Sequence, residues 1–177
     1  MMDRLGNEHL LRYASIRMGM PAGAPLTVLQ IGDETTTLVS GNADTPHAYI
    51  ALNIGAQKTA SAHFKHEPPT PGEMENAIMD VEDEVARARA AIVDGSTLFT
   101  NDATVRKIAM VAGISNQAVM QFGLTEVEAT FDRLVSVLHG RPASAEGLPT
   151  SPEFAATLLI LREFMHHLRF DSITIVH

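Results

Sequence analysis

The spacing of apolar positions changes twice along the chain. From about Asn7 to Met20, Leu10, Leu11, Ala14 and Met18 recur at helical spacing, Asn7 stands where an N-cap would, and Pro21, Gly23 and Pro25 end the segment. From Leu26 onward the pattern becomes one of short β-branched runs. Leu26 to Ile31 and Thr35 to Val39 flank the turn Gly32-Asp33-Glu34. After a polar loop from Ser40 to Pro46, His47 to Ile54 alternates, with Ala48, Ile50, Leu52 and Ile54 on one face. Lys58 to Phe64 reads as a further strand past Gly55. Such short connections predict hairpins.

The second change comes at Thr70-Pro71-Gly72-Glu73, a capping box with proline at the first helical position. Met74, Ile78, Val81, Val85, Ala88 and Ile92 then recur every three or four residues, opposite an acidic face suited to solvent. Ser96 to Phe99 predicts a short strand. Asn101 or Asp102 caps a helix carrying Val105, Ile108, Ala109 and Ala112 and ending at Gly113. Thr125-Glu126-Val127-Glu128 reads as a second capping box, opening a helix with Val127, Phe131, Leu134 and Leu138. A loop from Gly140 to Pro149 leads to Ser151-Pro152 and a last helix with Phe154, Leu158, Leu161, Met165 and Leu168 on its buried face. Ser172 to Val176 closes the chain as a strand. The order predicts one α/β domain over 1–177, a mixed sheet flanked by helices. Its parts are an N-terminal helix (7–20), a strand-rich part (26–64) and a helix/strand part (70–177).

Composition narrows the possible functions. With 177 residues, 45 % of them hydrophobic, the chain can bury a full core. A net charge of −8, from 13 basic and 21 acidic residues, argues against binding nucleic acid or an anionic membrane surface. There is no cysteine, which excludes disulfides, thiolate metal sites and a thiol nucleophile. No apolar run approaches the ~18 residues of a membrane span. The opening from Met1 to Glu8 leads into no signal-peptide stretch, so a cytoplasmic location is expected.

Two loops could carry chemistry. Gly32-Asp33-Glu34-Thr35-Thr36 joins two predicted strands. Its glycine turn and hydroxyls could hold phosphate, and its carboxylates could hold Mg²⁺. The plain reading is a polar hairpin turn. Phe99-Thr100-Asn101-Asp102-Ala103-Thr104 follows a strand and opens a helix, the geometry of an anion site, although Asp102 makes an anion less welcome. His63 and His66, with Glu67 adjacent, have metal-ligand chemistry, but on a strand they would face opposite ways. His166 and His167 diverge by about 100° on the last helix, one at the surface and one partly buried. There is no P-loop, no Gly-x-Gly-x-x-Gly and no Gly-x-Ser-x-Gly.

Four places together resemble the second domain of the exopolyphosphatase / guanosine pentaphosphate phosphohydrolase (Ppx/GppA) family. Val28 to Val39 is placed like that family's Asp-Ile-Gly-Gly-Gly-Ser-Thr-Glu strand–loop–strand. Ala51 to Thr59 is similar to its Ser-Leu-x-x-Gly-x-x-Arg-x-Thr strand, and Pro68-Pro69-Thr70 and a long helix follow as they do there. Phe99 to Thr104 is similar to its Gly-Thr-Gly-Gly-Thr loop. Gly147-Leu148-Pro149, a helix and Ile173 to Val176 resemble its C-terminal helix and final strand. The resemblance runs from the first helix to His177.

The resemblance implies a ribonuclease H-like fold of the actin-like ATPase superfamily. It places a phosphate-containing small ligand at Gly32, Thr35, Thr36, Thr100, Asn101 and Thr104. The departures from the family pattern fall on those same loops. Gln30 replaces the loop aspartate, Asp33 and Glu34 replace the second and third glycines, and Thr37 replaces the glutamate. Asn101 and Asp102 replace the central glycines of the second loop. A backbone cradle needs glycine so that N–H groups can turn inward, and carboxylates there reverse the charge. The family hydrolyses phosphoanhydrides between two domains, and its first domain has no counterpart here.

The expectation is therefore a non-catalytic binding or regulatory module. Its partner would be a second copy (a homodimer) or a protein supplying the first domain. The alternative is a reduced phosphohydrolase in which Asp33 and Glu34 hold Mg²⁺ and Glu34 is the general base. A third reading is a generic mixed α/β domain, which a sheet order that separates the Gly32 and Thr100 loops would establish.

Overall fold

In the central sheet, β1 (Leu26–Ile31) lies between β2 (Thr36–Gly41) and β4 (Thr97–Thr100), antiparallel to one and parallel to the other. The computed structural model describes residues 4–177. The opening Met1-Met2-Asp3, part of the segment read as free of a signal peptide, lies outside the described residues. The full strand order is β3-β2-β1-β4-β6-β5, with β3 spanning Ala48–Leu52, β5 Met120–Gly123 and β6 Ser172–Ile175. β4 and β6 are parallel, whereas β3 and β5 pair antiparallel at the two edges. Because β1 and β4 run together, the Gly32 and Thr100 loops leave the same edge of the sheet. The sheet is thus the expected mixed one, and its order does not separate the two loops.

Alternation along the strands divides the core in two. Leu29, Ile31, Leu38, Leu52, Leu98, Ile173 and Ile175 face a helical layer. That layer contains α2 (Ala56–His63), α3 (Pro71–Ala86), α4 (Ala103–Val111), α5 (Leu124–Leu138) and α7 (Pro152–Leu168). A short α6 (Ala143–Glu146) joins the last two. At the centre of this layer is α7, whose residues 154 to 161 are all buried. Each large apolar side chain buried there contributes roughly 1.5–3 kcal/mol. Among the described residues, α1 (Arg4–Met18) is the helix that packs on the opposite face, through a smaller cluster of Tyr13, Leu26, Val28, Val39 and Phe99.

Local chemistry sets the helix ends. Thr70 and Glu73 close the expected capping box, with Pro71 in the first turn. Asp102 caps α4 by accepting from the Thr104 and Val105 N–H groups. Ser151 caps α7, again with proline next in sequence.

Several expectations are corrected. Lys58 to Phe64 is no strand: residues 56–63 form α2, because Gly55 breaks the extended run and the carbonyls of the Gly32 loop cap the new helix. In α1 the exposed positions include Leu11 and Met18, while Tyr13 and Arg17 are buried. Tyr13 donates to the Ala43 carbonyl at 2.7 Å, and Arg17 donates to the carbonyls of Ala24 and Pro21, so both polar tips are satisfied. α3 stops at Ala86 and a 3₁₀ turn covers residues 89–91. α5 is capped from Gly123, whose N–H donates to Glu126 at 2.8 Å, and not from Thr125. β5 is an element the apolar pattern did not announce. Among the described residues, no helix is long and apolar enough to cross a membrane.

Candidate functional site

The two loops at the shared edge are joined by one carboxylate. Asp102 Oδ1 accepts from the N–H groups of Thr104 (2.8 Å) and Val105 (3.3 Å) at the start of α4. Its Oδ2 accepts from the Ile31 N–H (3.2 Å) at the end of β1 and from Gln30 Nε2 (3.3 Å). The Asp102 N–H itself donates to Thr100 Oγ1 at 3.0 Å. Amides converging at a helix N-terminus form a ready anion site, and here the chain supplies its own anion. Burial raises the Asp102 carboxyl above the usual range, while the three amides and the Arg12 charge pull the other way.

Arg12, reaching over from α1, is the cation of this edge. Its Nη1 donates to Asn101 Oδ1 at 2.7 Å and also to Gln30 Oε1, and its Nη2 donates to Glu8 at 2.5 Å. It also separates two depressions. A cleft of about 560 Å³ is lined by His9 and Arg12 of α1, by Tyr49 of β3, and by Gly32, Asp33, Glu34 and Thr35 of the β1–β2 turn. His9 sits 5.9 Å from the Tyr49 ring and within 3.4 Å of Thr37 Oγ1. Its imidazole pKa is lowered by burial and by Arg12. The second depression, about 440 Å³, is mostly apolar, with Ile16, Met20, Phe99, Val119 and Val176 in its lining.

The Gly32 loop is held from below by α2. Ala56 N–H donates to the Gly32 carbonyl, and the N–H groups of Gln57 and Lys58 both donate to the Asp33 carbonyl. The first-turn amides of α2 are thereby satisfied by backbone. Gly32 also makes a tight contact of its own, its N–H donating to the Thr35 carbonyl at 3.0 Å.

The residues expected to hold phosphate are therefore divided. Gly32 and Thr35 share the larger cleft with Asp33 and Glu34. Thr36 does not join them: it is fully buried and faces the helical layer with Leu38, because adjacent strand positions point to opposite faces. Its hydroxyl has no hydrogen-bond partner. Thr100 is also fully buried, and its hydroxyl is taken by Asp102. Asn101 is bound to Arg12 and lines the apolar depression, and the Thr104 amide is committed to Asp102. The six positions do not form one accessible cradle.

The histidines are also placed. His63, on α2, pairs with Asp80 of α3 at 2.9 Å, and His66 pairs with Glu73 at 2.8 Å, so they share no ion. His166 is exposed, and His167 is half-buried beside Glu82 and Glu163. Arg12, His9 and Tyr49 were not foreseen as members of the cleft. Arg12 and His9 lie on the helix expected over 7–20, but its apolar pattern carries nothing that sets it over the loops.

Solved structures share this fold. The type II variant of the Aquifex aeolicus Ppx/GppA phosphatase superposes with a TM-score of 0.78 at 15 % identity, over 96 % of this chain and 59 % of that one. An exopolyphosphatase from Cytophaga hutchinsonii gives 0.65 at 13 % identity, over 97 % of this chain and 59 % of that one. An exopolyphosphatase-like protein gives 0.67 at 16 % identity, over 88 % of this chain and 55 % of that one. The chain thus spans less than three fifths of the length of these structures. No protein-family model and no curated protein matches the sequence. The fold is the one seen in these Ppx/GppA phosphatase and exopolyphosphatase structures.

Proposed function

We propose that this chain, built on the Ppx/GppA phosphatase fold, is a non-catalytic domain that works as a binding or regulatory module. The observation that carries the reading is the Asp102 carboxylate, which occupies the α4 amides and the Ile31 amide where an anion would sit. Displacing it would leave a buried carboxylate without its donors, which opposes phosphate entry. Asp33 and Glu34 at the neighbouring turn add like charge against an anion. The partner in this reading is a second copy of the chain or a protein supplying the family's first domain. The apolar depression and the exposed Leu11 and Met18 on the α1 side favour association there.

Calorimetry with pyrophosphate and short polyphosphate, with and without Mg²⁺, tests it. No heat in either condition is expected, together with a concentration-dependent mass by sedimentation. A monomer at every concentration would remove the self-association. One observation favours a second reading, a reduced Mg²⁺-dependent phosphohydrolase acting on polyphosphate or a nucleotide phosphoanhydride. Asp33, Glu34 and Thr35 open into one cleft with Arg12 and His9. Mg²⁺ accepts one or two carboxylates and keeps its waters, so Asp33 and Glu34 have fitting donors. Phosphate release that needs Mg²⁺ and is lost in Glu34→Gln would replace the non-catalytic reading with this one.

A further inference from the structure

We propose that Glu82, Glu163 and His167 form a binding site for a first-row divalent metal ion, Zn²⁺ or Mn²⁺, that links α3 to α7. Among the described residues, this is the one place where three metal-ligating side chains bring one ligand atom each within 4.8 Å of the others. It lies between helices, away from the loop edge.

The argument starts from Glu163. Its side chain is 1 % exposed in a helix where Leu158 to Leu161, Phe164 and Met165 are buried and apolar. A carboxylate there needs partners for both oxygens. Arg162, which also lies 4.8 Å over the Phe131 ring, takes Oε1. Oε2 is left facing His167 Nε2 at 3.0 Å, one helical turn away on the same face of α7. A second carboxylate, Glu82 from α3, reaches that same Nε2 at 3.3 Å.

A single N–H has one direction and bonds well to one acceptor. Two carboxylate oxygens on one ring nitrogen are therefore poorly served by a proton. A metal ion at their centre serves all three. Ligands about 2.0–2.2 Å from such an ion stand roughly 3.0–3.5 Å from one another; His167 Nε2 stands 3.3 and 3.0 Å from the two carboxylate oxygens, and all three ligand atoms lie within 4.8 Å. One imidazole with two carboxylates suits a first-row divalent ion better than an alkaline-earth ion. Arg162 on the far oxygen of Glu163 orients the ligand, as outer partners do at metal sites. Glu82 and His167 are partly exposed, at 43 % and 34 %, which leaves room for water ligands.

The test uses the untagged chain after chelator treatment. Calorimetry with ZnCl₂ and with MnCl₂ is expected to show one ion bound per chain. Melting in a hundredfold excess over Kd should rise by about 5–10 °C. Both effects should disappear in His167→Gln and in Glu82→Gln, the latter a partly exposed position that keeps the fold. Both should persist in His63→Gln, which removes the imidazole of the separate His63–Asp80 pair. Co²⁺ gives a second readout: a visible absorption band of nitrogen and oxygen ligation, absent in His167→Gln. No stoichiometric binding, or binding that survives His167→Gln and is lost in His63→Gln, would overturn the assignment.

Discussion

The backbone of Asp33 and Glu34 lies across Gly55. A Cβ at Gly55 would stand 2.6 Å from the carbonyl carbons of both residues and closer still to the Asp33 oxygen. Only a residue without a side chain lets α2 begin directly beneath the β1–β2 turn. The obstacle to any larger residue is backbone, which has little room to shift. Gly55→Ala is therefore expected to cost about 2–4 kcal/mol in urea unfolding. Gly72, in the first turn of α3 with open space around it, is the control. Gly72→Ala should be neutral or stabilise by up to about 1 kcal/mol.

Asp102 gives a pH-dependent prediction. Its carboxyl is raised by burial from the ordinary 3.8, so the folded chain holds that proton more tightly than the unfolded chain does. The associated stability is fully present below 3.8 and is lost as pH rises through the folded value. Asp102→Asn removes this dependence and turns an amide NH₂ or a weaker acceptor toward the Ile31 N–H. Urea unfolding at pH 7 should show a loss of about 1–2 kcal/mol. The gap from the parent protein should widen toward pH 4.

Glu73 works in the opposite sense. Its pKa is lowered to about 2, first by the Thr70 N–H and then by His66. The stability it confers is present above the usual 4.5 and is lost as pH falls through about 2. Carbon-detected NMR titration of the side-chain carboxyl should find that midpoint. In His66→Ala the midpoint should rise and still remain depressed, because the larger cause is a backbone group that the substitution leaves in place.

Arg12 should be felt at two titrating groups on different elements. Its charge lowers the pKa of both His9 and Asp102. In Arg12→Gln both midpoints should move up, with His9 read from its ring protons. Asn101 also loses its donor, and a cost of about 1 kcal/mol is expected. Midpoints that stay fixed would mean that Arg12 points elsewhere in solution.

The legible parts of the sequence were those in which two local signals agreed. Around Thr70, capping residues, a proline and an apolar period all described the same helix, and α3 begins there. The hairpin around Gly32 and the pairing of β1 with β2 were equally direct. Residues 56–63 fold as helix where the sequence suggests strand, because eight residues carry too little period to separate the two. The deciding contacts come from the distant Asp33 carbonyl. On α1 the buried positions went to Tyr13 and Arg17, whose polar tips find carbonyls that only the folded loop supplies. At the site, the loops and their shared edge were readable, but the facing of each threonine was not. Thr35 and Thr36 are adjacent, and one is exposed while the other is buried beneath the helices.

The two faces of the sheet are secured unequally. Among the described residues, five helices cover one face, and α1 covers part of the other through a small cluster around Tyr13 and Phe99. Detaching α1 would expose little of the main core, so that helix can open without global unfolding. Amide hydrogen exchange should accordingly fall into two classes, with the α1 amides trading protons far sooner than those of α7. The surface that holds Arg12 over the loop edge would then be the part of the molecule with the shortest memory of its native position.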